Sequence, residues 1–318
     1  MRITNRMMVD NAIQRMSDNL EKTNKLQEKI STTKQFQTAS EDPARASTSL
    51  SLRSNLRALE SYSDVADTTT NWMTASDNAF DQLEQIAVRA NDLILRGLSD
   101  TLSGSERATA LGAEMQDLLA QAVEIGNTTS NGQAIFAGYQ VNGKAFEMID
   151  APGTLLDYQG NPFTPKVVNY LGDQGNMQRN LGPDQTVTLN VRGDQAIGGF
   201  LQNLILAGNA LRQNNINNTG NPLTDPLTLQ TALSGVKSSL DTMDQYRTSN
   251  GANLRQVESA ANFLETVKLE TKSLLSKNED TNLAEGIVLL ANQKTTYEAV
   301  LQVSQRAISA LSLFDYLR

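Results

Sequence analysis

The chain has 318 residues and a formal net charge of −8, with 39% hydrophobic but only 5% aromatic side chains. That acidic balance excludes a nucleic-acid binder, which needs clustered Lys and Arg, and the scarcity of aromatics favours long amphipathic helices over one large globular core. The absence of cysteine and histidine removes disulfides, thiol nucleophiles, the commonest general base and most zinc sites.

In chain order, the first predicted helix covers residues 3–30. Val9, Ile13, Met16 and Leu20 recur there at intervals of four and three, and Ile30 falls in phase later. The stripe is imperfect, because Thr23 and Gln27 share its face. Met7, Met8 and Met16 could line an adaptable groove, but a packing stripe is the favoured reading. This end lacks the continuous apolar segment of a cleavable signal peptide, which taken alone reads as cytoplasmic. No 18-residue apolar run occurs anywhere, so no membrane insertion is expected.

The stretch STTKQFQTASEDPARAS breaks the first helix. Asp42-Pro43 then makes a helix start, with Asp accepting free amide hydrogens and Pro in the first helical position. Leu52, Leu59, Ala66, Met73, Phe80, Ala87 and Ile94 follow at sevenfold spacing to about Leu98. A helix of that length spans about 84 Å and belongs to coiled coils and fibrous assemblies. Trp72 lies within it, with packing as its default role. Ser103 and Glu106 form a capping box before the next helix, which carries Leu111, Met115, Leu118, Ala122 and Ile125. Gly132 closes this region.

Residues 133–197 change character, with short β-leaning runs (AIFAGYQ, PKVVNYL, TVTLNV) between turn signals such as NGK and QGNP. A helical stretch, FLQNLILAGNAL, and a polar loop come next. Asp225-Pro226 repeats the earlier start signal. Leu229, Leu233, Val236, Leu240 and Met243 begin a stripe that runs on through Leu254, Val257, Ala261 and Leu264 to about Lys277, with a bend expected near Gly251. After NEDTNLAEG, where Asn282 and Glu285 are spaced as a cap, the last helix carries Leu283, Ile287, Leu290, Tyr297, Leu301, Ile308 and Leu311. A second row of Val300, Val303, Ala307 and Phe314 widens its apolar face, and the pattern continues through ALSLFDYLR to Leu317.

The pattern predicts a mainly α fold. An elongated antiparallel helical rod, or coiled coil, forms from both chain ends, with a small β-rich domain inserted in the middle. The expected domains are terminal coiled-coil helices (1–42 with 279–318), a long-helix rod (43–132 with 198–278) and an outer β-rich insert (133–197). A lone amphipathic helix has nothing to pack against. The terminal helices are therefore expected to stay disordered until neighbouring molecules cover them.

Catalytic readings are weak. The adjacent acids Glu41-Asp42 and Glu279-Asp280 lie beside helix starts, where helix capping is favoured over general acid–base work. Residues 279–285 lack the alternating oxygen ligands and central glycine of a calcium loop, and no glycine cradle for phosphate appears. No enzymatic activity, cofactor or metal is expected.

KISTTKQFQTASEDPARAS resembles the junction after the first helix of bacterial flagellins and their hook-associated relatives. Asn131-Gly132 with IFAGYQ resembles the segment leading into the variable domain of that family. RTSNGANLRQVESAANFLE and the closing helix are similar to its hook-associated branch, as are MRIT at the start and LSLFDYL at the finish. Thr33, Gln35 and Glu41 depart from the family's usual Gly, Arg and Asp, and the middle of the chain carries no family motif. The resemblance implies a structural junction layer between hook-associated protein 1 and the flagellin filament, with further copies of the chain completing a ring. It also implies export through the flagellar type III channel to the extracellular flagellum, escorted by a chaperone on the C-terminal helix. The expected assembly interface comprises Ile3, Met7, Val9, Ile13, Met16, Leu20, Ile287, Leu290, Tyr297, Leu301, Ile308, Leu311, Phe314 and Leu317. The alternatives are a short filament flagellin and a secreted coiled-coil translocator or effector.

Overall fold

The computed structural model describes residues 2–99, 101–216 and 228–316; within these ranges side chains are described at residue 7 and from residue 10 to residue 306. The start signal Asp225-Pro226 lies outside the described residues. The chain divides into two compact units, Met1–Leu59 with Thr266–Arg318, and Glu60–Glu265. The long helices α2 (Pro43–Gly97) and α7 (Leu229–Glu279) contribute to both.

Local chemistry sets the helix boundaries. Asp42 Oδ1 accepts the Arg45 N–H at 3.0 Å, which starts α2. Ser103 and Glu106 form the full reciprocal capping box at the short helix α3 (Gly104–Glu106). A five-residue π segment, Arg107–Leu111, separates α3 from α4 (Gly112–Gly126). The Arg107 side chain at its start is buried. Its Nε donates to the Gly97 carbonyl at 2.8 Å, Nη2 to the Ser99 carbonyl at 2.5 Å and Nη1 to Asn214 Oδ1 at 3.1 Å. A cation thus satisfies the exposed carbonyls at the end of α2, where the helix dipole is negative.

The larger unit has one principal core. Phe80, Leu83, Leu93 and Ile94 of α2 pack with Met115 and Leu119 of α4, and with Phe200 and Leu204 of α6 (Gly198–Gln213). The first turns of α7 add Leu229 and Val236. The β-leaning middle supplies Ile135, Phe136 and Phe146 to the same core, and Phe136 meets Phe80 edge-on at 5.5 Å. A smaller cluster joins Ala66 and Met73 of α2, Leu181 and Val187 of the middle segment, and Val257 and Ala260 of α7.

The middle segment is a set of two-stranded antiparallel ribbons. β1 (Thr129–Ser130) pairs with β2 (Gln133–Ala134) across Asn131-Gly132, whose φ angles of 51° and 77° fit the left-handed hairpin turn that Asn-Gly favours. β3 (Phe146–Asp150) pairs with β6 (Lys166–Tyr170), and β4 (Leu155–Leu156) with β5 (Pro162–Phe163). β7 (Gln178–Asn180) pairs with β8 (Thr186–Thr188). A one-turn helix, α5 (Gly193–Ala196), leads into α6.

The smaller unit holds the terminal helices α1 (Arg2–Thr32) and α8 (Leu283–Tyr316), which pack along each other. It also includes the first turns of α2 and the last turns of α7.

Candidate assembly surface

The seam between α1 and α8 follows a four-three rhythm on both helices. On α1 the residues withdrawn from solvent are Ala12, Met16, Asn19, Thr23, Leu26 and Ile30. On α8 they are Gly286, Leu290, Gln293, Tyr297, Val300 and Ser304. Asn19 Oδ1 accepts from Gln293 Nε2 at 3.0 Å, and a Cβ on Gly286 would lie 3.2 Å from Ile30 Cγ1. The two helices therefore run antiparallel, and half of the seam is polar or small.

Several other large apolar side chains face away from the seam. Ile13 is 53% exposed, Ile287 57% and Val303 67%, and Met7, Leu20, Leu283, Val288 and Leu289 are exposed as well. Of the sequence-predicted interface, Met16, Leu290 and Tyr297 lie in the seam and Leu301 is half-buried beside it. Met7, Ile13, Leu20 and Ile287 point outward. The side chains of Ile3, Val9, Ile308, Leu311, Phe314 and Leu317 lie outside the described residues. The stripe chosen on hydrophobicity is thus rotated by about one position from the seam, because close helix approach selects small residues.

At the base of this pair, two chain breaks are tied together. Lys34 and Asp280 form an isolated antiparallel bridge; the Gln35 amide donates to the Glu279 carbonyl at 2.6 Å, and the Thr281 amide to the Thr33 carbonyl at 2.8 Å. Thr33 adopts φ 58° to make the turn. Glu279, whose side chain is only 6% exposed, accepts from Arg53 Nε at 2.9 Å, Arg53 Nη2 at 2.7 Å and Lys34 Nζ at 3.2 Å. Lys34 also reaches Asp280 Oδ1 at 2.6 Å. The Arg53 guanidinium holds the Glu279 carboxyl below its ordinary value, and Lys34 does the same for Asp280.

Sequence reasoning assigned Glu279-Asp280 to helix capping, and that reading is corrected here. Glu279 is the last residue of α7 and serves an ion-pair network, while Asn282 Oδ1 faces the Glu285 amide at the start of α8, at 3.4 Å. A buried acid contacting two cations had no local sequence signal, since Arg53 is 226 residues away. Among the described residues no acidic group forms a metal-holding cluster, and none of their helices is long and apolar enough to cross a membrane.

The described residues define a mainly helical fold with a small β insert. Residues 3–141 match the family described as bacterial flagellin N-terminal helical region. The chain is similar to flagellar hook-associated protein 3 of Escherichia coli K12, 24% identical over 207 residues, which are 64% of this chain and 59% of that protein. It is also similar to flagellar hook-associated protein 3 of Salmonella typhimurium, 27% identical over 148 residues and 46% of each chain. The alignments thus span about half the length of these relatives. Two crystal structures share the fold: Xanthomonas campestris FlgL (TM-score 0.57, 17% identity, 71% of this chain and 99% of that one) and Bacillus cereus FlgL (TM-score 0.52, 20% identity, 71% and 99%).

Proposed function

We propose that this chain is a non-enzymatic structural protein of the extracellular bacterial flagellum. It forms the junction layer between hook-associated protein 1 and the flagellin filament, as a ring of its own copies. Export occurs through the flagellar type III channel, with a chaperone on the C-terminal helix before assembly. The similarity to hook-associated protein 3 supports the reading, and one structural observation carries it. Half of the terminal pair's own seam is small or polar, while Ile13, Ile287, Val288 and Val303 turn outward. Each such side chain gains about 1.5–3 kcal/mol when covered, so the outward faces favour packing against neighbouring subunits.

The test is deletion of the gene in its own host followed by electron microscopy. Complete hooks without filaments, with flagellin monomers in the medium, are the expected result. Normal filaments would refute a junction role. Purified protein that elongates filament seeds without limit would instead identify a filament subunit.

A further inference from the structure

The terminal pair has an unusual problem of alignment. Its seam repeats every seven residues, with small or polar side chains at many positions, so a shift of one heptad would still bring compatible residues together. Slippage would also move Ile13 and Leu20 past Ile287 and Val303, and the outward surface would lose its pattern. Two polar contacts break this degeneracy. One is the buried Glu279 with Arg53 and Lys34, which fixes Thr33–Gln35 against Glu279–Thr281 at the base of the pair. The other is Asn19–Gln293, roughly two heptads further along the seam. Lys34 opposite Asp280, Ile30 against Gly286 and Asn19 opposite Gln293 agree on one antiparallel alignment to within about a helical turn.

We propose that Glu279 and the Asn19–Gln293 pair are positioning residues that set the axial register of α1 against α8, and with it the pattern of the assembly surface. A slipped pairing leaves the Asn19 and Gln293 amides facing apolar neighbours, and it pulls the chain away from a carboxylate that has little solvent to fall back on. Unmade polar contacts of this kind are the established way for a helical pair to reject wrong registers. Asn278 reinforces the base, donating from Nδ2 to the Arg45 carbonyl at 2.9 Å and to Ser49 Oγ at 2.8 Å. The consequence for assembly rests on the proposed function, whereas the register itself is a property of the isolated chain.

The natural absence of cysteine makes the register directly measurable in the full-length monomer. Ile30→Cys with Gly286→Cys reports the observed alignment, and Thr23→Cys with Gly286→Cys reports a one-heptad slip. With Glu279 and Asn19 intact, the first pair should form its disulfide at least about tenfold faster than the second. In the Glu279→Ala, Asn19→Leu background the two rates should converge within about threefold. An unchanged near-ultraviolet signal from Trp72, buried in the other unit, shows that the chain still folds. Equal rates in the unaltered background, or a preference that survives both substitutions, would overturn the proposal. A chain that keeps its register preference yet fails to restore filaments in the deletion strain fails the functional reading alone.

Discussion

Arg247 is the clearest place to test how α2 and α7 hold together in the larger unit. Its Nε donates to Asp77 Oδ1 at 3.0 Å, Nη2 to Asp81 Oδ1 at 3.1 Å and Nη1 to Glu84 Oε2 at 2.7 Å. The three acids follow one another on a single face of α2, and Arg247 bridges all three while itself 31% exposed. Arg247→Met keeps most of the apolar stem and removes the charge. Half-exposed pairs contribute about 0.2–1 kcal/mol each, and unrelieved repulsion between acids three and four apart adds a few tenths more. The sum is about 2 kcal/mol, which for a unit the size of Glu60–Glu265 lowers Tm by about 4–8 °C. Calorimetry of the full chain at low salt and in 1 M NaCl provides the assay. The gap between variant and parent should narrow at high salt, where the screening length falls to about 3 Å. A Tm unchanged at low salt, or a loss that salt leaves untouched, would refute the electrostatic account.

Other outcomes follow from the same contacts. Glu279 and Asp280 are held below the ordinary carboxylate value, so their contribution is present above about pH 4.5 and is lost as pH falls through the depressed values. Amide exchange at Gln35 and Thr281, normalised to intrinsic rates, should therefore accelerate below pH 4.5 before the larger unit melts. Lys34 is raised by Asp280 and Glu279, so its share should persist below pH 10.5 and fade at higher pH. Arg107→Met leaves the Gly97 and Ser99 carbonyls and Asn214 without their donor; the cost should be about 3 kcal/mol, seen as a Tm lower by about 6–12 °C. Gly132→Ala meets no neighbour within 4 Å but must adopt φ +77°, so only about 1 kcal/mol should be lost by calorimetry.

Helices were legible in the sequence wherever boundary chemistry and periodicity agreed. The Asp42 start, the Ser103–Glu106 box and the stripe through Met115, Leu118 and Ala122 each have a local cause, and the structure places α2 and α4 there. Gly251 does not end α7, which continues to Glu279. Asn250 binds the Met73 carbonyl at 2.9 Å beside it, and packing overrides the weak local preference of glycine. The run AIFAGYQ leaned towards strand, but only its first residue, Ala134, lies in a strand, opposite Thr129; Phe136 instead turns into the core against Phe80. The burial of Arg107 was illegible because its partners are carbonyls ten and eight residues upstream and Asn214. The candidate surface was half legible. Hydrophobicity picked out Met16, Leu290 and Tyr297 of the seam but not Gly286, Asn19 and Ser304, which carry no apolar signal.

The central claim, that the outward apolar face of the terminal pair is covered by neighbouring subunits, is tested most directly with Ile13→Asp and Ile287→Asp. Both positions are exposed in the isolated chain, so each variant should keep the parent's melting temperature within about 1 °C. Expressed in the deletion strain, each should leave hooks bare of filaments in electron micrographs. Filaments of normal number and length on hooks carrying either variant would contradict the account.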